Sequence, residues 1–408
     1  MNRSRRSWIL QRALAVLLAG LTVLSGTAAA QETWIGSWGA SPSYPIGPDL
    51  GGTTVRQLVR LSAGGRAVRV RLSNETGTRP LTIGAATIAR PGRGAGTIDP
   101  SSSRPLTFGG RSSVTLAPGQ ATDSDPVPVA VQPLETLAVS LYLPQPTGPV
   151  PVHKDGEQTA WLSHRSDLTA AVALPAATPS TMRFILSRVD VAPGTGTVVA
   201  FGDSITDGAR SGIDADRRWP DMLARRLAAA GGPPVGVVNA GISGNRLLRS
   251  NPGTAYGPGA LARLDRDVLS VPGVRWAVVL EGINDIAHSG DSDRTDRAAS
   301  AEQIIAGLQQ IVARLRGRGV KAYCGTLTPF EGTTLPGYYA PRGEAKRQAI
   351  NAWIRAGGCD AAIDFDAVLR DPARPGRLRP GLDSGDHLHP NAAGYAVMAE
   401  AVDLSLFR

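Results

Sequence analysis

The stretch Val198-Val199-Ala200-Phe201-Gly202-Asp203-Ser204-Ile205-Thr206-Asp207-Gly208 runs from an apolar segment straight into a polar turn flanked by glycines. Four consecutive apolar residues predict a short strand buried on both faces, as in the middle of a parallel sheet. The glycines allow a tight strand-to-helix turn. Such a turn would hold the Ser204 hydroxyl at the carboxyl end of the strand, where open α/β sheets bind their ligands.

Downstream the same grammar repeats. Val235–Asn239, Trp276–Leu280, Val320–Tyr323 and Ala361–Phe365 read as four more buried strands. Between the second and third of these four lies the clearest helix. Ser300 followed by Gln303 is a capping-box pattern, Ile304, Leu308, Ile311 and Leu315 make one apolar stripe, and Gly317 can close it. Trp219-Pro220 opens another helix, with proline in the permitted first turn. Strands alternating with helices over 198–408 predict a parallel sheet with helices on both faces.

Upstream, over 31–190, the pattern is short strands and turns. Ala67-Val68-Arg69-Val70-Arg71-Leu72 alternates with period two, as a half-buried strand does, and Gly64-Gly65 before it reads as a hairpin turn. Leu81–Ile88, Ser113–Leu116, Thr136–Leu143 and Arg183–Val189 are further candidates. This predicts a smaller antiparallel β-sandwich, jelly-roll-like, joined to the second domain by a linker at 191–197. Residues 1–30 read as a signal peptide. Arg3, Arg5, Arg6 and Arg12 precede an apolar run too short to span a bilayer, Ala28-Ala29-Ala30 suits a signal peptidase, and Ser4-Arg5-Arg6 loosely matches a twin-arginine start. The expected location is secreted or periplasmic, with no stable membrane anchor.

The chain has 408 residues and a formal charge of +9, four of which belong to the leader. Only Lys154, Lys321 and Lys346 are lysines, and the arginines are scattered among acidic residues. That dispersal argues against a nucleic-acid partner, which would need charge gathered on one face. Oligomeric state is not legible. Cys324 and Cys359 are the two cysteines. They form either a disulfide, permitted in an oxidising compartment, or a pair of buried thiols. No metal-binding spacing, Walker loop or dinucleotide fingerprint occurs, so neither a metal nor a cofactor is expected.

The residues just past the strands carry the chemistry. They are Gly202 to Gly208, Asn239 to Asn245, Glu281 to Asp285 and, near the end, Asp383 to Asn391 with two of the five histidines. These four segments resemble the motif blocks of the SGNH, or GDSL-type, hydrolases. Ile205 stands where leucine is usual, Gly241 matches the block glycine, Gly282 to Asp285 match Gly-x-Asn-Asp, and Asp386 to Pro390 match Asp-x-x-His-Pro. The resemblance implies a flavodoxin-like sheet and an ester hydrolase with Ser204 as nucleophile, His389 as base and Asp386 as its orienter. It further implies an oxyanion hole made by the backbone N–H groups of Ser204 and Gly241 and the side-chain amide of Asn284.

The residue types suit those roles. A serine hydroxyl needs a base to accept its proton, and an aspartate fixes the imidazole tautomer. Asp386 and His389 lie three apart, so on a helical turn both side chains face one way. Gly241 would let backbone approach closely. Read alone, Ser204 is a helix cap, Asp386 a surface charge and Asn284 a turn former; it is their combination that favours catalysis. Asp203, Asp207 and Asp285 read as structural acceptors. His387 reads as structural or at the substrate's edge, His288 as solvent-facing, and His153 and His164 carry no pattern. Trp34, Trp38 and Trp161 read as core ahead of sugar-stacking. An exported hydrolase behind a β-sandwich is similar to carbohydrate esterases that remove acetyl groups from plant polysaccharides. The expected substrate is therefore a small or polysaccharide-borne ester. A lipase, lysophospholipase or arylesterase, an acyltransferase, and a non-catalytic binding module stay open.

Overall fold

A computed structural model describes residues 33–164, 166–287 and 299–408. The signal peptide expected at 1–30 and His288 lie outside the described residues. Thr33–Arg408 forms one compact unit. In it five strands pair in parallel, in the order Val235–Gly241, Gly196–Gly202, Val274–Leu280, Lys321–Gly325 and Ala361–Ile363. Numbered along the chain this order is 2-1-3-4-5, with the topological switch beside the first strand. Gly196–Gly202 is buried at every position, as its unbroken apolar run requires.

The helix Ala301–Arg316 begins with the expected reciprocal cap. The Gln303 N–H donates to Ser300 Oγ at 3.2 Å, and the Ser300 N–H donates to Gln303 Oε1 at 2.9 Å. Ile304, Leu308, Ile311 and Leu315 are buried against the sheet. Each of the five strands differs from expectation by one or two residues at one end or both. The second strand runs on to Gly241, and the fifth stops at Ile363 because Asp364 caps a helix, Phe365–Leu369, by accepting from the Ala367 N–H. Cys324 and Cys359 are joined as a disulfide, with Cα atoms 5.9 Å apart.

Upstream lie two larger antiparallel sheets. One orders Ile35–Gly39, Leu186–Ala192, Ala67–Ser73 and Ala121–Asp123. The other orders Thr178–Ser180, Ala160–Ser163, Thr53–Arg60, Thr136–Leu143, Ala85–Ala89 and Arg104–Pro105. Val68, Val70 and Val189 of the first share one apolar cluster with Val55, Val139 and Leu141 of the second. Gly64-Gly65 does not close a hairpin, because the strands on either side belong to different sheets. Instead a Cβ at Gly64 would meet the Val131 carbonyl oxygen at 2.6 Å, and one at Gly65 the Ala192 oxygen at 2.7 Å. These glycines permit close packing between segments. Leu81–Ile88 and Arg183–Val189 each divide into two strands, the second at Ile185, whose φ is +65°.

The two regions meet along Ile35–Gly39. An ideal Cβ on Gly236 would stand 1.9 Å from the Gly36 carbonyl oxygen. The Gly36 N–H donates to Thr197 Oγ1 at 2.9 Å, and the Val237 N–H to Ser62 Oγ at 2.8 Å.

Candidate active site

Four chain segments far apart in sequence converge at the carboxyl ends of the first three parallel strands. At Gly202 the chain leaves its strand, and a Cβ there would lie 2.3 Å from Thr206 Oγ1. Asp203 caps the short helix Ser204–Asp207 by accepting from the Ile205 N–H at 2.9 Å. Gly208 closes it with φ +100°, a conformation that strains any L side chain. Ser204 thus occupies the first helical position, where its own N–H has no helical acceptor. Its side chain is nearly buried, with the residue 8% exposed.

The His389 ring spans the gap between a hydroxyl and a carboxylate. Its Nε2 lies 2.9 Å from Ser204 Oγ, and its Nδ1 lies 2.8 Å from Asp386 Oδ2. The Asp386–His389 segment is not a helical turn, as the spacing suggested. It is a bend in which Asp386 Oδ1 accepts the N–H groups of Leu388 at 3.1 Å and His389 at 2.8 Å. That Asx-type closure brings both side chains to one side by another route. Burial raises the Asp386 carboxyl, but the His389 ring and the two N–H donors outweigh it and hold the carboxyl well below the ordinary range. His387 points away to pair with Asp383 and stays half exposed.

The expected oxyanion donors divide. Ser204 N–H has no partner among the described residues. Asn284 sits in the turn Ile283–Ile286, and its orientation is fixed at both ends. Its Nδ2 donates to the Asn245 carbonyl at 2.8 Å and its Oδ1 accepts from the Tyr338 hydroxyl at 2.8 Å, leaving one amide hydrogen free. Gly241 is different. Its N–H is spent on Asn239 Oδ1 at 2.9 Å, and a Cβ there would lie 2.3 Å from the Asp207 nitrogen. Gly241 is required for close backbone packing, and its N–H does not face outward. Three residues on, Gly244 has φ +75° and an N–H with no partner among the described residues. Its neighbours tie it to the site. Ser243 is bonded to Asp207, and the Asn245 carbonyl holds the Asn284 amide.

Beneath these groups lies a buried guanidinium. Arg263 donates to the Asn245 side-chain oxygen at 2.9 Å, Ala240 O at 2.7 Å, Asp267 at 3.0 Å, Gly202 O at 2.9 Å and Glu281 at 3.2 Å. All five of its N–H donors are therefore used, and three of the acceptors, on Gly202, Ala240 and Glu281, lie at or next to the ends of the three strands that carry the site. Burial pushes the carboxyls of Asp203 and Glu281 up, and each is raised further by other acidic groups nearby, Glu281 most strongly by Asp203. Asp285 is raised to about 6 by burial, although it accepts the N–H groups of Leu247 at 2.7 Å and Leu248 at 3.0 Å. Among the described residues no cluster of three or more His, Cys, Asp and Glu could hold a metal ion.

Sequence reasoning missed Gly244, Tyr338, Arg263 and His153. The signal that could have found Gly244 is the second glycine of the run Gly241-Ile242-Ser243-Gly244. The others gave no signal, since a lone Arg among so many, or a Tyr in a loop, has no period or spacing. His164 meets Thr53 Oγ1 at 2.8 Å. Trp34, Trp38 and Trp161 are half-buried, and arginine guanidinium groups cover the first two at 4.6 and 5.8 Å.

Residues 200–397 match the family described as the GDSL-like Lipase/Acylhydrolase family. Among solved structures the chain is similar to Est24, a carbohydrate acetylesterase from Sinorhizobium meliloti. Identity is 17%, covering 50% of this chain and 95% of that one, with a TM-score of 0.40. The native aryl esterase of M. smegmatis gives 17% identity, 50% and 95% coverage and a TM-score of 0.39. LAE5, an alpha/beta hydrolase enzyme from the metagenome of Lake Arreo, Spain, gives 22%, 51% and 93%, and 0.38. No curated protein matches the chain.

Proposed function

Over residues 200–397 the chain carries a carboxylic ester hydrolase domain of the GDSL-like lipase/acylhydrolase family, and on that premise we propose an exported serine esterase that removes short acyl groups, acetyl foremost, from carbohydrate esters. The observation that carries the mechanism is the His389 ring, within hydrogen-bonding distance of Ser204 Oγ at 2.9 Å and Asp386 at 2.8 Å.

His389 Nε2 takes the Ser204 proton as Oγ attacks the ester carbonyl. Asp386, ionised, holds Nδ1–H and stabilises the imidazolium that forms. The carbonyl oxygen gains negative charge and meets the Ser204 N–H, the free amide hydrogen of Asn284 and the Gly244 N–H, which replaces Gly241 in this reading. Donors already aimed at the developing charge need no reorganisation, and so supply the largest single catalytic term. His389 then protonates the leaving alkoxide. It next deprotonates water for attack on the acyl-Ser204, and the acid leaves with the enzyme regenerated.

The preference for short acyl groups on carbohydrates rests on the leader at 1–30 and on the all-β region ahead of the hydrolase domain. The interleaving of early and late strands in its two sheets supports a jelly-roll arrangement. The Cys324–Cys359 disulfide supports export, since oxidising compartments maintain such bonds. The test compares the chain lacking 1–30 with its Ser204→Ala variant on acetylated xylan and on nitrophenyl acetate, butyrate and palmitate. Acetyl release from xylan, fastest turnover on the acetate and loss of about a million-fold in the variant are expected. Turnover that survives Ser204→Ala overturns the mechanism, and fastest turnover on palmitate overturns the substrate class.

A further inference from the structure

The nucleophile turn has a second anchor, and it comes from the other region of the molecule. His153, at the end of the short strand Val152–His153, is 4% exposed. Its Nδ1 lies 3.0 Å from the Ser41 carbonyl oxygen and its Nε2 lies 2.9 Å from Asp207 Oδ1. A carbonyl oxygen only accepts, so Nδ1 carries a proton. Asp207 Oδ2 already accepts the Ser243 N–H at 3.0 Å and the Ser243 hydroxyl at 2.8 Å, so this carboxyl group gathers donors on its other oxygen. An ionised carboxylate needs a donor at Nε2 as well.

We propose that His153 is a buried imidazolium that fixes the Ser204 turn through Asp207, which makes the all-β region supply a positioning residue for the esterase. Asp207 is the last residue of the helix that Ser204 begins. Asn239 Nδ2 also holds this turn, at Thr206 O, 2.8 Å away. Its far end is therefore fixed from two sides, and that sets where the Ser204 oxygen lies relative to His389. The same strip of chain grips the following loop. Thr159 donates its N–H and hydroxyl to Asp214, each at 2.6 Å, and the Asp214 N–H donates to Glu157 O at 3.0 Å.

The charged groups around the ring decide its proton. Burial opposes the cation. The charge of Asp207, its hydrogen bond and the Ser41 carbonyl outweigh that and raise the ring above its ordinary value, with Arg218 opposing. Glu157 and Asp155 of the same strip add negative charge near Asp207 and Arg218, and Arg210 adds positive charge. Because the ring acts while charged, its contribution persists below its ordinary value near pH 6.5 and is lost as pH rises through the raised one.

The inference rests on Ser204 being the nucleophile. The experiment measures kcat and KM against pH for the wild type, His153→Gln and Ser204→Ala on nitrophenyl acetate. With Ser204→Ala inactive, His153→Gln is expected to lower kcat about tenfold to a hundredfold with KM within twofold. The wild type is expected to lose kcat on the alkaline side, and His153→Gln should abolish that fall. An unchanged kcat, or a slowed enzyme that keeps the alkaline fall, overturns the proposal. An active Ser204→Ala overturns the nucleophile instead. Should His153→Gln fail to fold, nitrogen-15 NMR of the unaltered protein decides. One histidine ring with both N–H protons retained and slow to exchange at about pH 6.5 is expected, and absence of such a ring overturns the proposal.

Discussion

Two constellations in this molecule use a serine, a histidine and an aspartate, and they differ in which residue stands in the middle. In Ser204, His389 and Asp386 the imidazole is central, 2.9 Å from the hydroxyl and 2.8 Å from the carboxylate. In Ser243, Asp207 and His153 the carboxylate is central, accepting from the hydroxyl at 2.8 Å and facing the ring at 2.9 Å. A central imidazole can take a proton at one nitrogen while the other is held. A central carboxylate only gathers donors and passes nothing on. Exposure follows the same division, since the His389 side chain is 13% accessible and that of His153 4%. Residue type therefore does not set the chemistry. The order of the groups and their access to substrate do.

Three substitutions sharpen the contrast. Asp386→Asn presents an amide to Nδ1 and favours the wrong tautomer of the central ring. It should lower kcat by about 10,000-fold while leaving the fold intact, checked by steady-state kinetics beside circular dichroism. Removing a proposed oxyanion donor touches the first constellation from the substrate's side. Asn284→Ala should reduce kcat about a hundredfold to a thousandfold with KM little changed. Ser243→Ala removes a hydroxyl from the second constellation. The Ser243 N–H still reaches Asp207, so turnover should stay within about threefold and stability should fall by about 1 kcal/mol, read from denaturant midpoints. If Ser243→Ala abolished turnover as Ser204→Ala does, the distinction drawn between the two sets would collapse.

The first constellation was legible in the sequence because its parts sit at strand ends or three residues apart. Apolar runs announce the strands, and the residues following them fall at the ligand-binding edge whatever the loops do. Asp386 and His389 lie within hydrogen-bonding distance although the local geometry is a bend. A three-residue spacing serves an Asx-type closure as well as a helix. The oxyanion glycine was harder. Gly241 and Gly244 share one short loop, and which N–H is spent inside depends on the Asn239 side chain, which no spacing rule reports. The hairpin expected at Gly64-Gly65 failed because two glycines mark close backbone approach as readily as a turn. His153 was not legible at all, because its partner Asp207 lies 54 residues downstream and the contact exists only once two sheets have docked.

The meeting of Gly36 with Gly236 carries an evolutionary consequence. With an added Cβ standing 1.9 Å from the opposing oxygen, not even alanine fits unless both backbones separate. Substitutions along that seam must be accepted in concert or not at all. A side chain at Gly236 therefore demands a shift of the opposing backbone, which makes the two architectures answer to one another at this seam.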